Sequence, residues 1–216
     1  MADKNFIPLF PLGVVLFPQM PLPLHIFEER YKELTRYCLE KKQVFGVVLQ
    51  NEERHFNIGC TARIVEVLHE FDDGRLNILT EGVKRFSIDS VSEEAPYLQA
   101  SVRFFNDAPT RSKTVHGKLK ESGLDFLLKL FKEMGQPVDD AEFEQLTAKQ
   151  ISFLIASFGG YTQQEKQSFL EITNTGERLR KELALRDTIL NRMEKSRKIS
   201  KTIQSNGHIP GIKPSV

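Results

Sequence analysis

Hydrophobic and polar positions follow different periods in the two halves of the chain. Up to about Phe105, apolar residues recur at every second position, which is typical of strands with one buried face. Leu76, Ile78 and Thr80, for example, form one face of such a strand. Over 115–199 the apolar residues recur instead at the spacing of an α-helix. The pattern therefore predicts a β-rich half followed by a helical half.

The first half contains several strands and one early helix. The helix is predicted from about Glu28 to Lys41, and its apolar stripe consists of Phe27, Tyr31, Leu34 and Cys38. Gly82 interrupts a strand, which often marks a bulge or a corner. Several short strands with tight turns predict a small, partly closed barrel. The predicted strands lie at 44–49, 58–71, 76–81, 86–88 and 98–104.

A proline-rich segment, residues 8–31 with the sequence PLFPLGVVLFPQMPLPLHIFEERY, precedes these strands. Its five prolines exclude a helix, because each removes a backbone donor and clashes with the preceding turn. Proline is also confined to the edges, starts and bulges of sheets, so a central strand is not expected. The segment is predicted to be an extended, stiff ribbon that lays apolar side chains along another part of the protein.

The second half is predicted to contain four helices, and several of their starts carry capping signatures. Thr147 with Gln150, and Thr162 with Glu165, place a hydroxyl and a reciprocal side chain three residues apart. Beyond residue 200 the chain is polar and rich in Gly, Pro and Ser, which predicts a disordered tail. The four helices are predicted at 115–134, 140–157, 163–173 and 176–199.

Composition and charge exclude several classes of protein. Thirty basic and 29 acidic residues leave a net charge of +1, so no global field gathers nucleic acid or an acidic membrane. The two cysteines, Cys38 and Cys60, are too few for a disulfide framework and are predicted to be small buried hydrophobes. Neither a signal peptide nor an apolar run long enough for a spanning helix is visible. We therefore expect a cytoplasmic protein without a membrane segment.

Motifs that carry chemistry are missing from the sequence. It has neither a phosphate-binding glycine loop, a zinc signature nor a nucleophile elbow, so no catalytic residue, metal ligand or cofactor is predicted. The five histidines are scattered, and the paired carboxylates are sequence neighbours that point apart. One local excess of positive charge is interpreted as a solvated helix end, with nucleic-acid contact as the alternative; it comprises Arg192, Lys195, Arg197, Lys198 and Lys201.

Four blocks, in this order along the chain, resemble one known family. They are the proline-rich segment, IGCTARI at 58–64, DDGR at 72–75 and EGVKRFSI at 81–88, with a weaker match over 155–179. The chain resembles the N-terminal, substrate-binding domain of the Lon ATP-dependent protease, which also occurs in cereblon-type proteins and as free-standing bacterial proteins. The resemblance covers most of 6–199.

The resemblance implies an α+β fold: a PUA-like β pseudobarrel with one early helix, followed by a C-terminal helical bundle. The corresponding division is a β domain at 1–109, a helical subdomain at 110–199 and the tail at 200–216. It further implies a non-catalytic protein that recognises unfolded or exposed apolar polypeptide, as an adaptor or regulator of proteolysis. The ATPase and protease parts of Lon have no counterpart in the sequence, so we do not expect an enzyme.

The start of the helix and the turn before it supply the candidate contact residues. A polypeptide-binding role is assigned to Met20, Pro21, Leu22, Phe27, Glu28, Arg30 and Tyr31. Burial in the barrel is the alternative for the apolar ones, and an ion pair with the barrel, involving Arg85, is the alternative for Glu28 and Arg30. An RNA-binding module is the alternative function, because PUA-like barrels are also used on RNA, although the near-zero net charge disfavours nucleic acid. The sequence does not determine the oligomeric state.

Overall fold

The structure, a computed structural model, describes residues 5–50, 55–109, 113–137 and 140–206. Along the described residues, two strands are followed by one helix, then by four strands, and finally by six helices. The strands are β1 (Asn5–Leu12), β2 (Pro21–Ile26), β3 (Phe45–Gln50), β4 (His55–Glu70), β5 (Leu76–Ser92) and β6 (Gln99–Phe104). The helices are α1 (Glu29–Lys41), α2 (Lys113–Glu133), α3 (Asp140–Glu144), α4 (Ala148–Phe158), α5 (Gln163–Glu171), α6 (Thr175–Ala184) and α7 (Arg186–Asn206).

The six strands form one sheet that closes on itself. Their order is β2-β5-β4-β3-β1-β6, and an additional pairing between β5 and β6 completes a five-stranded barrel. The long strand β5 makes this possible, because its first half pairs with β2 and its second half pairs with β6. The predicted α+β architecture, a barrel with one early helix followed by a helical part, is confirmed.

The proline-rich segment forms two strands, so the prediction that no inner strand could form there is wrong for β1. Residues 5–8 of β1 pair with β6, whereas 9–12 pair with β3. Successive N–H groups of a strand point to opposite sides, and Leu9 donates toward β6. The nitrogen of Pro8 therefore faces the β3 side and that of Pro11 the β6 side. Each proline faces the side on which its own half of the strand has no partner.

The turn between β1 and β2 packs tightly against the strand interruption at Gly82. Gly82 donates to the Met20 carbonyl at 2.9 Å and accepts from the Gln19 amide at 2.7 Å. A Cβ at Gly82 would overlap the carbonyl oxygen of Phe17, so only glycine fits this approach. The predicted corner at Gly82 is therefore a docking point for the proline-rich segment.

Two clusters of buried side chains stabilise the molecule. The smaller one lies between β1, β3, β5 and β6, and includes Leu9, Val48 and Phe86. The larger one joins the other face of the sheet to α1 and to the helical part, with Phe10 and Phe126 among its members. The β part and the helices thus share a hydrophobic core.

The helical part is more divided than the sequence predicts. The helix predicted at 140–157 is interrupted between α3 and α4, where Thr147 begins α4 with a complete capping box to Gln150. The helix predicted at 176–199 ends at Ala184 and restarts at Arg186. The second capping box, Thr162 with Glu165, is confirmed. A capping residue favours the start of a new helix over continuation of the preceding one, so α4 begins after Thr147.

The last helix also extends further than predicted. α7 continues to Asn206, so the disordered tail predicted from residue 200 does not begin there. Residues 207–216 lie outside the described part of the chain.

Buried ions join the barrel to the helices. Asp107, in the segment after β6, accepts hydrogen bonds from Arg85 on β5 and, at 2.7 Å, from Arg178 on α6. Arg85 also donates to the carbonyl oxygens of Leu170 and Ile172, both at 2.7 Å. Burial alone would raise the pKa of Asp107, but the hydrogen bond and charge of Arg178 hold it below its usual value. The two guanidinium groups therefore share a single counterion in the interior.

Candidate functional site

A groove surrounds the N-terminus of α1. Three adjoining cavities, of about 380, 260 and 230 Å³, all include Arg30 and Tyr31 in their walls. We call their union the α1 groove. Beyond those two residues its walls include Leu9, Pro11, Leu24, Phe27, Val48, Gln50, Asn57, Ile88, Val91, Glu93, Pro96 and Leu98.

One part of the α1 groove borders the smaller core. Leu9, Val48, Ile88 and Leu98 line its cavity of about 380 Å³, and they also belong to, or pack against, the cluster inside the barrel. Val91, which is 51% exposed, stands at the mouth of that cavity. An apolar side chain entering the groove would therefore meet the interior of the barrel rather than water.

Polar groups form the rim of the same groove. The Arg30 guanidinium donates to a Glu28 carboxylate oxygen at 2.6 Å, and this hydrogen bond raises the pKa of the guanidinium. Gln50 and Asn57 contribute carboxamides, and Glu93 contributes a carboxylate. A few polar groups around an apolar cavity are the usual composition of a binding site.

Tyr31 is the central side chain of the groove. Its ring stacks on Phe10, with centroids 3.9 Å apart and planes 10° apart. The Arg30 guanidinium lies 4.8 Å from the centre of the same ring. Burial raises the pKa of the Tyr31 hydroxyl, so this group stays protonated at neutral pH. The ring is therefore held between Phe10 and the Arg30 guanidinium, in the wall of the groove.

Four of the seven predicted contact residues line the α1 groove: Phe27, Glu28, Arg30 and Tyr31. Phe27 was placed on the apolar stripe of the helix and also among the residues that a turn exposes; α1 begins at Glu29, and the Phe27 side chain is 59% exposed. Its ring lies 5.9 Å from that of His25, next to the groove. Glu28 occupies the N-cap position, but its carboxylate binds Arg30 and makes no cap hydrogen bond.

The other three predicted contact residues are not in the walls of the α1 groove. Met20 was expected at an exposed turn, but it is only 7% exposed because the turn packs against Gly82. Pro21 is exposed at the start of β2, and Leu22 is half-buried. The residues at the helix start thus line the groove, whereas those of the preceding turn lie outside its walls. Their role in binding stays a prediction.

The alternative expectation for Glu28 and Arg30, an ion pair with the barrel that involves Arg85, is not what the structure shows. Glu28 and Arg30 pair with each other at the surface, whereas Arg85 is buried and pairs with Asp107. Burial fixes this choice, because an interior guanidinium requires a counterion that is itself shielded from water.

Sequence reasoning missed the residues that line the groove from other strands. Val91, Glu93, Pro96 and Leu98 lie at the end of β5 and in the loop before β6, and Asn57 lies on β4. In the sequence these residues are marked only by a valine next to a polar turn. The strand register brings them to α1, and periodicity does not encode that register across long separations.

Neither a metal cluster nor a thiol of lowered pKa occurs among the described residues. Among them no group of three or more His, Cys, Asp or Glu side chains is arranged to hold a metal ion. Burial raises the pKa of the Cys38 and Cys60 thiols to about 12, so neither forms a thiolate at neutral pH. Within the same ranges, no helix has the length and apolar character that crossing a bilayer requires.

The basic end of α7 is partly neutralised by carboxylates. Arg197 pairs with Glu133 at 3.2 Å, and Arg192 lies 3.8 Å from Glu165. Lys198 pairs with Glu194 at 2.7 Å on the same helix. These pairs reduce the local excess of positive charge on which phosphate binding depends.

Comparison with known proteins identifies similar sequences. The family model of the "ATP-dependent protease La (LON) substrate-binding domain" matches residues 7–187. Lon protease of Flavobacterium johnsoniae is 29% identical over 201 residues, which are 87% of this chain and 24% of that protein. Lon protease of Escherichia coli is 23% identical over 215 residues, 94% of this chain and 27% of that protein. The chain thus spans about a quarter of the length of these relatives.

Two solved structures share the fold. The Lon N-terminal domain protein from Xanthomonas campestris has a TM-score of 0.65 and 24% identity, covering 83% of this chain and 98% of that one. The N-terminal domain of Lon protease from the Mycobacterium avium complex has a TM-score of 0.70 and 16% identity, covering 85% and 98%.

Proposed function

The chain belongs to the LON substrate-binding domain family, and from this premise we propose that it binds exposed, extended apolar polypeptide segments in the α1 groove. Family membership supports substrate recognition as the general role. The assignment of that role to the α1 groove, and of apolar segments as its ligands, is our proposal.

One observation carries the proposal: the α1 groove combines an opening into the barrel core with a charged and carboxamide rim. The half-buried Ile88 and Leu98 provide apolar surface at this opening, and the buried Leu9 and Val48 also line the cavity. Arg30 and Glu93 provide polar groups at the same opening. A wall of this kind accepts apolar side chains of different shape, and the rim accommodates the polar backbone between them.

The rigidity of the surrounding elements supports the same proposal. Phe10 and Tyr31 lock the start of α1 onto β1, and the prolines of β1 and β2 restrict the backbone on either side. A preformed groove loses little conformational entropy when a ligand binds. The cost of ordering then falls on the flexible ligand alone, which suits weak, broad recognition.

We infer further that recognition occurs without chemistry, and that the bound segment is presented to or withheld from a protease. The groove contains apolar, guanidinium, carboxamide and carboxylate groups. The two thiols lie in the core with their pKa raised. Membership of the LON substrate-binding domain family is the observation that supports an adaptor or regulator of proteolysis.

A matched pair of valine substitutions on β5 tests the proposal. Val91 at the mouth of the groove is 51% exposed, and Val83, outside its walls, is 43% exposed. The chain contains no tryptophan, so a Val91→Trp variant both fills the mouth and reports on it by fluorescence. Binding of a fluorescein-labelled apolar peptide, in an unfolded conformation, is measured by anisotropy for the native protein, Val91→Trp and Val83→Trp.

We expect Val91→Trp to weaken the peptide affinity about tenfold or more, and Val83→Trp to change it by less than about twofold. Circular dichroism and thermal unfolding establish that both variants fold. Equal affinities of the two variants, or no binding of the peptide by the native protein, would exclude the groove as the site. A single-stranded RNA added as competitor is expected to leave the anisotropy unchanged.

A further inference from the structure

The charges around the α1 groove do not balance. Arg30 lies in the walls of all three cavities, and its guanidinium already binds the Glu28 carboxylate at 2.6 Å. Glu93 is exposed and lies in the walls of two of them. Among the residues that the structure describes, its carboxylate has neither an ion-pair nor a hydrogen-bond partner. The rim of the groove therefore carries an uncompensated negative charge, that of Glu93.

Glu33 adds negative charge beside the same part of the groove. It lies one turn after Arg30 on α1. Tyr97 lines the cavity of about 230 Å³ together with Glu93. Burial raises the pKa of the Tyr97 hydroxyl, and the charge of Glu33 adds to that shift. The Glu33 carboxylate is therefore close enough to this cavity to contribute to its potential.

A negative charge beside an apolar opening is complementary to a positive charge beside an apolar side chain. Resting on the function proposed above, we propose that the groove prefers apolar segments with a lysine or arginine within two residues of the side chain that enters it. Glu93 is the residue that binds this cation. It determines specificity, whereas the apolar walls provide most of the affinity.

The geometry of an extended ligand places such a cation within reach of Glu93. Glu93 shares the walls of two cavities with Leu98, and Val91 at the mouth of the groove is two residues before it. In an extended chain, side chains two residues apart point to the same side and are about 7 Å apart. Lysine and arginine cover such a distance with their apolar stems along the surface and their charge in water.

Arg30 does not reverse this preference. Its guanidinium is held by Glu28 and lies 4.8 Å from the centre of the Tyr31 ring. An acidic ligand would have to displace Glu28 from Arg30, and it would be repelled by Glu93. The groove is therefore expected to discriminate against acidic segments by repulsion as well as to attract basic ones.

The preference defines a class of substrate. Natural sequences place charged residues beside apolar strands that would otherwise aggregate. Where that residue is basic, the flank of the apolar segment carries the combination that the groove accepts. Such flanks become accessible together with the apolar segment when a protein unfolds. Folded proteins expose the lysine or arginine but bury the apolar side chain next to it.

A pair of peptides that differ in one charge tests this inference. Both are apolar segments with blocked ends, so that neither terminus supplies a charge, and both carry one lysine two residues from the central apolar side chain. In one peptide this lysine is acetylated, which removes the charge and keeps the stem. We expect the native protein to bind the charged peptide about two- to fivefold more tightly. This advantage should disappear at about 0.5 M salt, because an exposed pair is screened.

Two neighbouring glutamates provide matched variants of the protein. Glu93 and Glu94 are both exposed, but Glu94 is not in the walls of the α1 groove. We expect Glu93→Gln to bind the two peptides equally, within about 1.5-fold, and Glu94→Gln to keep the preference for the charged one. The inference is overturned if the native protein shows no preference, or if the preference survives Glu93→Gln.

Charge reversal provides an independent reading of the same contact. A third peptide carries glutamate at the position of the lysine, and the native protein should bind it more weakly than the acetylated peptide. Glu93→Lys is expected to prefer this acidic peptide to the basic one. A preference that does not reverse would contradict a direct contact between Glu93 and the ligand.

The two proposals fail in different ways. The acetylated peptide reports on the function proposed for the groove alone. If it does not bind, or binds Val91→Trp as well as the native protein, that function is wrong and the inference falls with it. If it binds in the groove and acetylation makes no difference to affinity, only the inference is wrong.

Discussion

The ring of Tyr31 lies flat on that of Phe10, with centroids 3.9 Å apart. Phe10 is 5% exposed and belongs to the larger core, whereas Tyr31 is half-buried and lines the α1 groove. The contact fixes the start of α1 against β1. Removing it would alter both the position of the helix and the surface available to a ligand.

Substitution of Tyr31 separates the ring from its hydroxyl. Tyr31→Ala is expected to weaken peptide binding about tenfold or more, because it removes the stacked ring at the centre of the groove. Tyr31→Phe keeps the ring and is expected to bind within about threefold of the native protein. Phe143→Ala in the helical part, half-buried against Phe131 and outside the groove, is the control for lost packing. Equal loss in both alanine variants, measured by anisotropy, would contradict the role of Tyr31.

The docking of the proline-rich segment depends on Gly82. Gly82→Ala places a methyl group against the carbonyl oxygen of Phe17, so it should lower the free energy of unfolding by more than about 2 kcal/mol. A methyl group at Gly13 would meet nothing within 4 Å, so Gly13→Ala is expected to be close to neutral. Urea denaturation of the two variants measures the difference. Similar stability of both would mean that the segment is not held at Gly82.

The buried counterion Asp107 is expected to be indispensable for the joint between barrel and helices. Asp107→Asn leaves Arg85 and Arg178 without a carboxylate and should cost about 3–5 kcal/mol in unfolding free energy. Asp89→Asn breaks an exposed pair with Arg103 and should cost about 0–1 kcal/mol. Because the pKa of Asp107 is lowered in the folded state, its contribution is present above the unfolded pKa and is lost as the pH falls through the folded one. Chemical denaturation at several pH values tests both expectations, and equal costs for the two variants would contradict them.

Glu182 should have the opposite pH dependence. It is fully buried and accepts from the Ser152 hydroxyl at 3.0 Å, and its second carboxylate oxygen has no hydrogen-bond donor among the residues that the structure describes. Burial raises its pKa well above the usual value. Its contribution to stability is therefore present below the unfolded pKa and is lost as the pH rises toward the folded one.

Replacing Glu182 by glutamine removes this ionisation. We expect Glu182→Gln to be more stable than the native protein at about pH 7, with the gain disappearing near pH 4, below the unfolded pKa. Glu177→Gln alters an exposed side chain of the same helix and is expected to show no such trend. Thermal unfolding across this pH range is the measurement, and a gain that is independent of pH would contradict the assignment.

The elements of the fold follow from local patterns, with two instructive exceptions. Proline chemistry correctly excluded a helix over 8–28, before α1 begins, but it also suggested that no inner strand could form. β1 is an inner strand because its two halves pair on opposite sides, so neither Pro8 nor Pro11 faces a partner. That solution depends on the register with two distant strands, which the local pattern does not contain.

Capping signals were more informative than periodicity in the helical part. Thr147 lies inside the helix predicted at 140–157, yet its capping box with Gln150 begins a new helix. The apolar spacing alone runs across this break. A complete cap signature inside a periodic stretch therefore indicates a helix start.

The site was predictable only where it is continuous in sequence. Phe27, Glu28, Arg30 and Tyr31 were identified from the helix start, and they line the α1 groove. Pro96 and Val91 come from the other side of the barrel, and neither carries a motif. Asp107 gave no signal either, because a carboxylate in a loop is ordinarily exposed. Its importance comes from two buried arginines far apart in the chain.

Residue-by-residue mapping of a bound peptide tests the central claim most directly. Amide resonances of ¹⁵N-labelled protein are followed by NMR while an unlabelled apolar peptide is added. We predict that the largest shifts occur at Arg30, Tyr31 and Leu98, around the α1 groove. Shifts centred instead on the exposed apolar residues of β4, Val65 and Leu68, with the groove unchanged, would contradict the proposed site.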